Sequence, residues 1–139
     1  VKGGKMVLID NTLLLGEFRG LLSNLYIQIF VWIVIGDIVT GICKGIFIKE
    51  TNSTKGLMGI VKHLLVVSLV LIAYPYLKIM GFEGVATAFV FSYIAVYGIS
   101  VIENLGQLGI PVPEFVKSRF SKLKETSEKQ GEEENGGEK

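Results

Sequence analysis

The sequence predicts an all-α integral membrane protein with three transmembrane helices. Half of the 139 residues are hydrophobic and only 19% are charged. The charges are also segregated, sparse from Val7 to Ile110 and dense from Lys117 onward. That pattern suits a membrane-embedded region with a polar tail better than a globule with a charged skin. Apolar runs recur three times, and at about 1.5 Å per residue some 20 residues cross a hydrocarbon core of roughly 30 Å.

Residues 1–24 form an N-terminal segment. Leu14, Phe18, Leu21, Leu22 and Leu25 fall at helical spacing, Glu17 and Arg19 lie off that line, and Asn11 or Thr12 is placed to cap. The segment reads either as a short amphipathic helix on the membrane surface or as a frayed terminus. Either Val1 or Met6 fits as the start. No small-residue cleavage site follows a short apolar stretch, so the spans themselves are the expected insertion signal.

The transmembrane domain is expected over residues 25–113, with spans at about 25–46, 57–79 and 84–103. The first reads LYIQIFVWIVIGDIVTGICK from Leu25 to Lys44 and is apolar on all sides, unlike an amphipathic soluble helix. Its one acid is Asp37. A carboxylate at the centre of a span costs about 2.5–3.5 kcal/mol, so such a group is paired, faces water or lies near an interface. A start near Leu21 puts Asp37 in the last quarter of the core, with Lys44 and Lys49 beyond it to snorkel.

Lys49–Lys55 reads as a polar turn. In the second span, the apolar stretch Leu64–Leu77 sets Lys62 and Lys78 near opposite interfaces. Tyr74 and Tyr76 flank Pro75 at headgroup level, and Pro75 is placed to kink the last turn. After a tight connection at Gly81–Gly84, the third span stops at Glu103–Asn104. Along it, Gly84, Ala88, Ser92, Ala95 and Gly98 make a stripe of small residues that lets another helix approach closely, and Gly41 and Gly45 repeat the idea in the first span.

Residues 114–139 divide in two. Glu114–Lys124 suits a short amphipathic helix with Phe115, Val116, Phe120 and Leu123 on one side and basic residues for an anionic surface. Thr126–Lys139 has no apolar residue and reads as a disordered charged tail. Lys44, Lys49, Lys55 and Lys62 around the first loop, with Lys117, Arg119, Lys122 and Lys124 after the last span, outweigh Arg19 and Lys78. The N-terminus is therefore expected outside, with the first loop and the C-terminus cytoplasmic.

The residues offer little for catalysis. Cys43 is the sole cysteine, excluding an intrachain disulfide or a cysteine metal cluster. His63, the sole histidine, reads as an interfacial side chain. With no nucleophile–base set and no phosphate-binding glycine loop, neither enzyme activity nor a cofactor or metal is expected. The basic run after Pro113 suits a membrane better than nucleic acid. One constellation remains: Asp37, Thr40, Lys44, Lys62, His63, Glu103 and Asn104 all fall toward the cytoplasmic ends of their helices. Either they form a polar layer that faces water or a neighbouring subunit, or they pair at the interface and fix helix depth.

Several motifs resemble those of the toxin-secretion/phage-lysis holins, bacteriophage holin family 4. They are D-I-V-T-G (Asp37–Gly41), S-T-K-G leading into G-I-V-K-H (Gly59–His63), and above all I-E-N-L-G-Q-L-G-I-P-V-P (Ile102–Pro113). The resemblance covers about Val31 to Leu123; the stretch before the first span and the acidic Glu132–Glu134 end lie outside the pattern. It implies a protein that accumulates in the bacterial inner membrane and opens lesions that release an endolysin or toxin for timed lysis. Three helices cannot enclose a large lesion alone, so many copies are implied, in contact with lipids but without a stable complex with the released protein. Read from the residues alone, a small oligomeric ion channel or transporter accessory subunit, or a membrane adaptor, stays open.

Overall fold

The computed structural model describes residues 10–49 and 52–136. Among these residues five α-helices follow one another: α1 (Asn11–Gly20), α2 (Leu25–Phe47), α3 (Ser53–Ile79), α4 (Glu83–Gln107) and α5 (Glu114–Gly136), with a 3-10 turn over Leu21–Ser23. Three of them, α2, α3 and α4, are long and apolar enough to cross a membrane. The expected all-α class with three spans is what the chain adopts.

Short polar side chains set the helix starts. Asp10 accepts the Thr12 N–H at 2.9 Å, placing the cap of α1 one residue before the sequence-based candidates. Asn24 accepts the N–H groups of Tyr26 and Ile27 at 3.0 and 3.2 Å, opening α2. Asn52 accepts those of Thr54 and Lys55 at 3.1 and 3.4 Å. Each cap satisfies backbone donors that have no partner within the helix and contributes about 1 kcal/mol. The Asn52 cap draws the second half of the polar turn into α3, whose helix begins at Ser53, ahead of the span expected from about residue 57. Gly81 (φ +88°) and Gly109 (φ +78°) close α3 and α4 in a backbone region that a side chain would strain.

The spans run up, down and up around α4, which buries Ala86, Ala88, Val90, Ile94, Ala95 and Tyr97. Phe30 and Val34 of α2 and Val70 and Tyr74 of α3 complete the core. At one end Asn24 Nδ2 donates to Tyr74 Oη at 3.0 Å, and the rings of Tyr26 and Phe91 meet edge to face. Pro75 is buried inside α3, near its end. Trp32, Leu64, Leu65 and Ile72 stand more than half exposed. An apolar exterior of that extent is not a water-facing surface; acyl chains cover it.

The N-terminal segment forms a helix rather than a frayed end. α1 docks on the end of α3 through the Lys78–Glu17 bridge, 3.0 Å between Nζ and Oε2, and the Phe18 ring against Tyr76. Leu13, Leu15 and Leu22 remain outward.

The C-terminal segment departs from expectation. Through residues 126–136 the chain continues as α5 where the sequence reads as disordered; residues 137–139 lie outside the described ones. The covered positions of α5 are Val116, Phe120, Leu123, Ser127 and Gly131, at steps of 4, 3, 4 and 4. That is one continuous helical face, although only its first half is apolar. Lys and Glu are good helix formers, and Glu125 precedes Lys129 by one turn in the favourable order.

This face lies on α4. The Phe120 ring covers Gly98 so closely that a Cβ there would run into it, and the Ser127 hydroxyl, nearly fully buried, stands 3.2 Å from that of Ser92. Numbers rise on α5 as they fall on α4, so α5 returns antiparallel along the third span. Every charged side chain from Glu114 to Glu133 is exposed on its outer face. At the depth of a span each such charge facing lipid costs up to about 2.5–3.5 kcal/mol.

Candidate functional site

The middle of α2, the first half of α3 and the end of α4 converge on Asp37. A thirteenth helical residue of α2, Asp37 is only 6% exposed, as is Asn104 of α4. Asn104 Nδ2 donates to Asp37 Oδ1 at 3.1 Å and to Thr40 Oγ1 at 3.2 Å. The Thr40 hydroxyl turns its proton to the Gly36 carbonyl at 2.9 Å, leaving its oxygen free to accept. Because a carboxylate accepts only, the amide nitrogen of Asn104 is the atom that must face it. Both amide protons are then used, and α4 is tied to two positions one turn apart on α2.

α3 joins through His63. Its Nε2 stands 3.9 Å from Asp37 Oδ2, and its Nδ1 lies 3.2 Å from Tyr97 Oη of α4. The His63 and Tyr97 rings are tilted against each other at 5.5 Å, and the Phe30 ring meets Tyr97 at 6.3 Å. No buried side-chain nitrogen or oxygen among the described residues lacks a partner. The acid is therefore neither stranded in lipid nor freely solvated. It sits at the floor of an open cleft of about 920 Å³, whose walls include Gly41, Lys44, Lys55, His63 and Asn104.

Of the residues singled out from sequence, Asp37, Thr40 and Asn104 are brought together, and Lys44 lines the cleft beside them. Lys62 and Glu103 point outward, and no ion pair among the described residues includes either. His63 is a partner of the acid rather than a plain interfacial side chain. Tyr97 was not anticipated; it precedes Asn104 by seven residues, two turns along the same face of α4, and that spacing is its sequence signal.

Some of the small residues serve contacts within the chain. Gly41 of α2 faces Asn104 of α4, where a Cβ would make ordinary contact at 3.8 Å from Nδ2. Gly98 and Ser92 receive α5, while Ala88 and Ala95 are buried. Gly84 is exposed, and a Cβ on Gly45 would meet nothing within 4 Å. Two members of the third-span stripe, Gly98 and Ser92, thus accept a helix closely, and that helix is the chain's own α5.

Comparison with known proteins gives this arrangement a relationship. The model of the bacteriophage holin family matches residues 12–125. A probable holin of Bacillus phage phi105 is 32% identical over 108 residues, covering 77% of this chain and 80% of its own length. An uncharacterised protein of Clostridium perfringens strain 13 is 39% identical over 89 residues, 63% of this chain and 66% of its own. An uncharacterised protein of Listeria monocytogenes is 30% identical over 96 residues, 68% and 69% of the two chains. No solved structure matches.

Proposed function

The chain belongs to the bacteriophage holin family, and from that premise we propose that it assembles in many copies in the bacterial inner membrane and opens lesions through which an endolysin or a toxin leaves the cell. The relationship to the probable holin of phage phi105, which covers 77% of this chain, is the observation that carries this reading. The physical role of the chain is then mechanical rather than catalytic. Three spans with a greasy exterior partition into the bilayer. The Asp37–Asn104–His63 cluster locks their inner ends into one unit, and assembly of such units makes the hole.

In this reading the α2–α3 loop and the α4–α5 connector face the cytoplasm, as the basic residues flanking them imply, and the N-terminal segment lies outside. The C-terminus begins on the cytoplasmic side while the membrane is intact.

Expression in bacteria with and without a co-expressed muralytic enzyme tests the function. Abrupt lysis that requires the enzyme is the expected result. Altered ion flux without enzyme release indicates a channel instead, and neither effect indicates an adaptor.

Orientation has its own test. A cysteine at Gly81, in a chain with Cys43→Ser, should react in intact cells with an impermeant thiol reagent, and one at Asn52 should not. The reverse labelling pattern inverts the assignment.

A further inference from the structure

We propose that α5 lines the water-filled lesion, packed through its Phe120–Leu123–Ser127 face along α4 with its charged face toward the lumen. The inference rests on the holin reading above and extends it to a segment that reads from sequence as a disordered tail.

The argument starts from depth. Ser92 lies near the middle of α4, a helix apolar enough to span the bilayer, and Ser127 of α5 stands against it. A helix held there is inside the membrane's thickness. Its outer face carries ten exposed charges, five basic and five acidic between Glu114 and Glu133, among exposed serines and threonine and beside the Phe115 ring near its start. Charged groups at that depth persist only where they are paired or face water. Among the described residues one ion pair lies on α5, Lys117 with Glu114 near its start, so the rest of the face is unpaired. Yet the inner face is seated, with Phe120 over Gly98 and Ser127 buried. A helix seated on a span and charged on its other side fits one environment, the wall of an aqueous hole.

The packing explains why α5 can enter that wall without crossing lipid. Its connector lies at the same end of the bundle as Asp37 and Asn104, so α5 can rest at the cytoplasmic surface before a hole exists. Once assembled copies part, water fills the gap and α5 folds down along α4 through that water. Its nearly balanced charge, five basic and six acidic residues from Glu114 to Gly136, gives the lumen no strongly dominant sign, as suits passage of a folded protein.

The test uses the full-length chain with Cys43→Ser, Ser92→Cys and Ser127→Cys, co-expressed with an endolysin. Membranes are treated with a permeable oxidant before and after lysis onset, and the intramolecular disulfide is read as a mobility shift. The expected result is a yield at least about five-fold higher after onset, since seated hydroxyls 3.2 Å apart mark side chains in near contact. Equal yields before and after onset overturn the lumen assignment. Normal lysis with no disulfide overturns it as well, while leaving the holin reading standing. Failure of the chain without these substitutions to lyse cells overturns both. Should the double cysteine not accumulate, a fluorophore on Lys129→Cys replaces it. Quenching after onset by a water-soluble quencher and not by a lipid-soluble one supports the lumen, and the opposite pattern overturns it.

Discussion

Asp37→Asn is expected to delay or abolish lysis at matched membrane levels, in cells that co-express an endolysin, and Asp37→Leu to do so more strongly. The carboxylate is the costliest group in α2, and near the centre of a span it costs about 2.5–3.5 kcal/mol. In the protomer that cost is offset by Asn104 and by the nearby His63 ring. Any rearrangement that floods the cleft recovers part of the hydration the acid lost, so the charge biases the assembly toward water. Asn keeps the shape and an acceptor for Asn104 but removes the bias. Leu also removes the acceptor, leaving an amide proton buried without a partner at about 1–3 kcal/mol, and presents an apolar side chain to the cleft. Inserted protein is quantified first, because both variants enter the membrane more easily. Normal onset in both would reduce Asp37 to a packing residue.

The sequence made the three spans legible because hydropathy over some 20 residues is a sum, tolerant of single exceptions such as Asp37. The site was half legible. Asp37, Thr40 and Asn104 are visible as isolated polar residues in apolar helices, and they do meet. Tyr97 was hidden because a tyrosine in a span looks like core or interface; only its two-turn spacing from Asn104 marks it. The start of α3 turned on one side chain, Asn52, whose capping role is not distinguishable from turn chemistry in the run KETNSTK.

The tail is illegible for a more basic reason. Disorder was inferred from the absence of apolar residues, yet helix contacts between small residues carry no hydropathy. Ser127 and Gly131 continue the face begun by Phe120 and Leu123, and Ser92 receives Ser127 without either being apolar. The receiving stripe on α4 was visible as a place for a close neighbour; nothing in its composition says whether the neighbour is another copy or the same chain.

Gly98→Leu should therefore unseat α5, and Phe120→Ala added to it should restore the docking. The Gly98 Cα faces the Phe120 ring with no room even for a Cβ. Leu must displace a bulky aromatic that is itself packed against the core, an overpacking cost of about 1–3 kcal/mol, roughly 5–150-fold in the docked population. Phe120→Ala alone leaves a gap and weakens docking too, but in the double variant the Leu side chain occupies the space the ring vacated. The readout is tryptic cleavage of the purified, detergent-solubilised chain at the Lys and Arg residues of α5. Cleavage should accelerate in each single variant and slow again in the double. The signature is this non-additivity, which neighbours in contact show and independent sites do not. Rates that simply multiply across the two substitutions would mean that Phe120 and Gly98 do not touch in solution, and that α5 is held on α4 by other contacts.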